Sequence, residues 1–258
     1  MTAERVRRTG RVTDARRPSA RLIAALTVVP LLRLAVARYA VPPGSPDRTG
    51  CGGCGAPIGL DRPLPALGPA ARCPACQARV GAAPAVVEVA LLLAVAVPVL
   101  GGGAPAVRLA LAWWLVWAVP MTIVDAMAHR LPDRLTWPAA AGAWVLLGVA
   151  ALTGPGADPW IRAVLAGLVL GGGFAATTLL LGRRGFGLGD AKLALGAGAL
   201  LGWYGWPVLV AGLVLALVLA GAAGVVLLAA RRVRWSGHLP FGPFLVLGTA
   251  AALVLVTV

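Results

Sequence analysis

Long apolar runs, recurring along almost the whole chain, constrain its fold more than any other feature. They cover residues 22–41, 84–101, 106–124, 136–153, 160–181, 190–203, 206–230 and 240–257. A helix needs roughly 17–25 mostly apolar residues to cross a bilayer. Helices are the expected form because hydrocarbon offers backbone groups no hydrogen-bonding partner. The first run is interrupted by Arg33 and Arg38, and the sixth is short and rich in glycine. Composition agrees: 12% of residues are charged, about half the share of a soluble domain, and mean hydropathy is +0.87. The expectation is an all-α polytopic membrane protein with about eight transmembrane helices.

The net charge of +14 raises the question of nucleic acid. No basic face interleaved with aromatic residues accompanies it, so no nucleic-acid partner is expected; the charges mark the ends of apolar runs, and the partner is the lipid bilayer. Arg48, Arg62, Arg72 and Arg79 follow the first run. His129, Arg130 and Arg134 follow the third, Arg183, Arg184 and Lys192 the fifth, and Arg231, Arg232, Arg234 and His238 the seventh. The alternate connections GGGAP, TGPGADP and GWYGW carry no basic residue. Cytoplasmic loops are rich in Lys and Arg, so the basic connections are placed in the cytoplasm and the chain in the cytoplasmic membrane. The chain divides into a basic tail (1–20), a first transmembrane segment (21–41), a cytoplasmic loop (42–83) and a membrane-embedded core (84–258). The arginine-rich tail conflicts with this orientation. Either it violates the charge rule, or the first segment does not span, or the native start lies downstream.

All four cysteines lie in the loop, as CGGC at 51–54 and CPAC at 73–76. Two C-x-x-C knuckles so spaced suit a four-thiolate zinc site. Two disulfides are the rival, disfavoured where thiols stay reduced. A zinc ion held by Cys51, Cys54, Cys73 and Cys76 would be structural, since no coordination position remains for water or substrate. The loop looks too short and polar to bury a core, so the metal is expected to supply its folding energy.

Nine residues are acidic. Glu4, Asp14, Asp47, Asp61 and Asp158 are expected to be solvated. Glu88, Asp125, Asp133 and Asp190 lie in or beside apolar runs, where acids are costly and usually functional. Asp125 ends LAWWLVWAVPMTIVD and Asp190 begins DAKLALGAGALLGW. Both are expected at the cytoplasmic ends of helices, at one depth, where they could face each other. Two carboxylates in contact share a proton, so one can activate water while the other donates to a carbonyl. Each alone could instead be a cap or an ion-pair partner, with Arg130 near Asp125 and Lys192 near Asp190. GFGLG before Asp190 superficially resembles a nucleotide loop, but lacks the βαβ context. Its glycines allow close backbone approach. Asp190, at a helix start, is expected to be the ionised member, and Asp125, at a helix end, the protonated one.

VDAMAHRLPDRLTWP, GFGLGDAKLALGAGALLGW and LPFGPFLVLG together resemble type IV prepilin peptidases, membrane aspartic peptidases of the GxGD class. The resemblance covers roughly residues 30 to 258. It implies that Asp125 and Asp190 are catalytic and that Gly187, Gly189, Lys192, Asp133 and PFGPF at 240–244 support them. The cysteine loop followed by Glu88 resembles the loop of longer members, which makes Glu88 a candidate for substrate binding. The implied reaction is removal, at the cytoplasmic face, of a short basic leader that ends in glycine and is followed by an apolar helix, from prepilin or pseudopilin substrates. Some relatives also N-methylate the new N-terminus with S-adenosylmethionine. Arg184 stands where many relatives have an acid, and the GSFLN-like motif of the first span is not evident. Other readings are a GxGD protease with different membrane substrates and a non-enzymatic zinc-loop scaffold. Oligomeric state is not readable.

Overall fold

The computed structural model describes residues 26–61, 65–182, 186–232 and 239–257. The basic tail, the start of the first segment, and Arg62, Arg183, Arg184, Arg234 and His238 lie outside the described residues. Among those described, eight α-helices follow one another: α1 (Val29–Tyr39), α2 (Val86–Leu100), α3 (Pro105–Ala128), α4 (Asp133–Leu152), α5 (Ala157–Leu181), α6 (Leu188–Tyr204), α7 (Trp206–Ala229) and α8 (Gly242–Thr257). Each falls within or around one of the apolar runs. By length and apolar composition, four of them, α3, α4, α5 and α7, are able to cross a membrane, and α2 and α8 are shorter apolar helices. The chain is therefore a multi-pass, all-helical membrane protein. Local rules set several boundaries: proline opens α1, α3 and α7, where its missing N–H costs nothing. His129, in the left-handed region at φ 50°, closes α3.

The bundle is organised around α6. This glycine-rich helix is the most deeply buried, and it packs against α3, α4, α5, α7 and α8. Glycine makes this possible. A Cβ on Gly198 would lie 2.8 Å from the Ala166 carbonyl, and one on Gly202 would lie 2.3 Å from the Ala166 Cβ. Within a membrane, helix association relies on such close packing of small residues, because lipid is as apolar as the side chains. By contrast α7, the most apolar of the long helices, buries only Leu209, Gly212 and Ala216. Its apolarity serves lipid, not the core. At one end of the bundle, Arg162 of α5 donates to the carbonyls of Gly202 (2.8 Å) and Trp203 (2.7 Å). A cation thus binds the C-terminal carbonyls of α6.

One of the two arginines that interrupt the first run is paired with an acid. Arg33, only 3% exposed, donates from Nε (2.8 Å) and Nη2 (2.6 Å) to the two oxygens of Glu88 on α2. This bidentate pair joins α1 to α2 where an unpaired charge would be costly.

The cysteine loop is more than a polar connection, contrary to expectation. Cys51, Ile58, Ala66, Leu67, Cys73 and Val80 form a small core with Leu34 and Ala37 of α1. Gly81, at φ +62°, passes so near α1 that a Cβ would lie 3.2 Å from the Ala37 nitrogen. The loop is folded onto the first helix. It is also tied to the α3–α4 connection, where Asp47 accepts from Arg130 at 3.0 Å and lies 3.8 Å from Arg134.

Candidate active site and metal centre

The two knuckles share one backbone pattern. Cys51 N–H donates to Ala56 O (2.8 Å) and Gly55 N–H to Cys51 O (2.9 Å); Cys73 N–H donates to Ala78 O (2.9 Å) and Gln77 N–H to Cys73 O (3.0 Å). The corresponding positions Gly55 and Gln77 both adopt positive φ, 73° and 59°. The four sulfurs all lie within 4.8 Å of one another, with Cys51–Cys76 at 3.6 Å and Cys54–Cys73 at 3.7 Å. A tetrahedral ion with metal–sulfur bonds of ~2.3 Å needs sulfurs roughly 3.8 Å apart. The cysteines are free thiols. The Gly53 amide, with help from that of Cys54, draws the Cys51 thiol down to about 6. Cys76 is pushed up to about 12 despite the Ala78 amide, because Cys54 and the other sulfurs crowd it. Four thiolates at this spacing repel one another, and a cation removes the conflict. The cluster therefore has the donors and the geometry to hold a metal ion.

Asp125 sits in the last turn of α3 and Asp190 in the first turn of α6. Both are buried, at 5% and 9% exposure. They line a single cavity of about 380 Å³ together with His129, Thr177, Phe186, Gly187 and Phe241. The carboxylates are held alike. Asp190 Oδ2 accepts the Gly187 N–H at 3.1 Å, the reach-back half of a capping box. Asp125 Oδ2 accepts the Gly242 N–H at 3.0 Å, from the first residue of α8. Both acids thus face the N-terminal end of a helix, which favours negative charge. The asymmetry expected from their positions on their own helices is offset, because α8 supplies Asp125 with an N–H as α6 supplies Asp190. A different asymmetry remains: Asp190 Oδ1 is buried with no hydrogen-bonding partner among the described residues.

The cations nearest in sequence are occupied elsewhere. Arg130 is bound to Asp47 and to the Ser45 carbonyl. Lys192 pairs with Asp133 and lies 5.9 Å over the Trp137 ring. Asp133 and Lys192 therefore join the starts of α4 and α6 outside the cavity lining. Among the described residues no cation bonds either aspartate, and Arg130 and Lys192 pair with Asp47 and Asp133 instead.

The motif glycines hold this geometry. A Cβ on Gly189 would lie 2.7 Å from the Leu131 Cβ, so only glycine lets α6 begin against the connection that follows Asp125. A Cβ on Gly242 would lie 2.7 Å from Asp125 Oδ2. Gly187 contributes its N–H and lines the cavity. Glu88, the candidate for substrate binding, has both oxygens engaged by Arg33 and does not line this cavity. Its partnership was signalled by two opposite charges stranded in two apolar runs. His129 and Gly242 are site neighbours to which sequence reasoning gave no individual role. PFGPF drew attention to Gly242, whereas nothing local marked His129.

No solved structure matches the chain. Residues 109–229 match the model of the type IV leader peptidase family. A prepilin leader peptidase/N-methyltransferase of Aeromonas hydrophila is 35% identical, covering 80% of this chain and 71% of that protein. One of the same name from Aeromonas salmonicida (strain A449) is 34% identical over 80% of this chain and 71% of its own. Another, from Burkholderia pseudomallei (strain 1026b), is 35% identical over 80% of this chain and 66% of its own. Similarity that extends over most of both chains, with a family match that spans both Asp125 and Asp190, shows that this protein belongs to the type IV leader peptidase family.

Proposed function

We propose that this protein is a membrane aspartic endopeptidase that removes the leader from type IV prepilin-like proteins, with Asp125 and Asp190 as its catalytic pair. The observation that carries the assignment is the shared cavity. Two buried carboxylates line it, each fixed by one backbone N–H, and the cations beside them in sequence are engaged elsewhere. Such a pair carries one proton between its members. The ionised carboxylate takes a proton from water as the water oxygen attacks the scissile carbonyl carbon. The protonated carboxyl gives its proton to the carbonyl oxygen. Collapse of the tetrahedral intermediate then breaks the C–N bond, and the amine leaves with a proton returned by the pair. Asp190 Oδ1, buried and without a partner among the described residues, is the oxygen placed to hold the attacking water or the shared proton. Gly187 and Gly242 orient the pair through their N–H groups, and Asp133 and Lys192 hold α4 against α6.

All eight helical segments are embedded in the cytoplasmic membrane in this proposal, with the dyad at the cytoplasmic face among the basic connections. The ion in the four-cysteine site is zinc, which pins the loop to α1 and, through Asp47 and Arg130, to the α3–α4 connection. The names of the relatives support N-methylation of the new N-terminus as a second activity, with S-adenosylmethionine as methyl donor. The test is co-expression of a type IV prepilin with wild type and with Asp125→Asn and Asp190→Asn, followed by mass spectrometry of the product N-terminus. Leader removal by wild type alone is expected, and an added methyl group would establish the second activity. Normal cleavage by either variant removes that aspartate from the mechanism.

A further inference from the structure

Helices α5 and α7 both pack on α6. Between them, on the lipid side, lies an apolar groove of about 480 Å³. Its walls are Val169, Gly173 and Thr177 on one side and Trp206, Val210 and Leu217 on the other. From Trp206 to Leu217 the groove runs about 16 Å, roughly three turns of helix. Gly173 widens it, for a Cβ there would meet nothing within 4 Å.

The groove adjoins the aspartate cavity. Thr177 and Phe186 line both. Three of the chain's four phenylalanines stand at the junction. The ring centroids are 4.4 Å apart for Phe174–Phe186, 4.8 Å for Phe186–Phe241 and 5.6 Å for Phe174–Phe241. Thr178 fixes the arrangement by donating to the Phe186 carbonyl. The second large apolar groove, between α2, α3 and α8, shares no lining residue with the cavity.

Resting on the leader peptidase reading, we infer that the α5–α7 groove receives the apolar helix that follows the scissile bond of the substrate. The helix enters sideways from the bilayer, and the phenylalanine cluster divides its apolar start from the polar cavity that takes the peptide bond. The chemistry fits on both sides of that divide. A leader ending beside the dyad must leave its apolar continuation somewhere unhydrated, and this groove shares Thr177 and Phe186 with the dyad's cavity. Apolar side chains on one face of a helix, seated in a groove, are a general mode of helix recognition.

Two measurements test the inference. Benzoylphenylalanine is placed at Val210, and in a separate protein at Leu93 in the second groove. Each is irradiated with a type IV prepilin whose leader-terminal glycine is replaced, so that it stays uncleaved. Cross-links from Val210 to the prepilin's apolar helix, absent from Leu93, are expected. Cross-links from Leu93 alone, or adducts only to lipid from both positions, overturn the inference. Gly173→Leu projects into the groove and is expected to lower cleavage of subsaturating prepilin about tenfold, the effect of one overpacked side chain. Unchanged cleavage in Gly173→Leu also overturns it. Cleavage of an unmodified prepilin by the wild-type enzyme runs alongside: its failure removes the leader peptidase reading, whereas cleavage without Val210 cross-links removes only the groove.

Discussion

Gly242→Ala is the most incisive perturbation, because it adds one methyl group and no charge. The new Cβ would stand 2.7 Å from Asp125 Oδ2 and 3.3 Å from its Cγ. Ordinary contact begins near 3.4 Å, so the carboxylate or the start of α8 must retreat by about 0.7 Å. The Gly242 N–H bond to Oδ2, 3.0 Å in the native protein, is lost or stretched by that retreat. A hydrogen bond to a charged group contributes about 1.5–3 kcal/mol, and each ~1.4 kcal/mol is tenfold in rate. Turnover should therefore fall roughly 10- to 150-fold. Stability should change little, because the better helix propensity of alanine, up to ~1 kcal/mol, offsets part of the overpacking. The assay is leader removal from a purified prepilin in detergent, with kcat and KM determined separately and helix content followed by circular dichroism. Gly221→Ala is the control, since its Cβ meets nothing within 4 Å and should leave turnover unaltered. A Gly242→Ala enzyme that turns over within about twofold of wild type, under ~0.5 kcal/mol, would refute the claim that this N–H orients Asp125.

Other outcomes follow from the same geometry. Asp125→Asn and Asp190→Asn should each abolish cleavage while leaving helix content and metal loading at wild-type levels; circular dichroism and elemental analysis check both. Glu88→Leu should destabilise the protein by about 3–5 kcal/mol, because it strands the buried Arg33 charge. Arg33→Met combined with Glu88→Leu should recover most of that loss in thermal unfolding, and failure to recover would show that Glu88 acts beyond this pair. The purified protein should hold one zinc ion per chain by elemental analysis. Chelation should expose the loop to proteolysis at residues 42–83 while helix content is kept, and metal loading should decline on acidification as the cysteine ligands regain protons.

Lys192→Met should leave stability within ~1 kcal/mol of wild type, because its pair with Asp133 is partly exposed.

Much of this protein is local in origin and therefore legible in one dimension. Hydropathy alone marks where the eight described α-helices lie, although only four of them are long and apolar enough to cross a membrane. The cysteine spacing marks a metal site because each knuckle is a short backbone turn. The rarity of acids in apolar runs singles out Asp125 and Asp190. Tertiary structure decided which helices meet and which groups pair. Lipid does not distinguish one apolar helix from another, so neighbours are chosen by surface shape, as when Gly198 and Gly202 let α5 close on α6. For that reason the short, glycine-rich sixth run became the centre of the bundle and the most apolar long run its lipid-facing wall. Arg130 and Lys192, each near an aspartate in sequence, found Asp47 and Asp133 in space. Asp125, at the unfavourable end of its own helix, found the favourable end of α8, more than a hundred residues away along the chain. The electrostatics of this site belong to helices that meet only when the chain is folded, and no local pattern encodes that meeting.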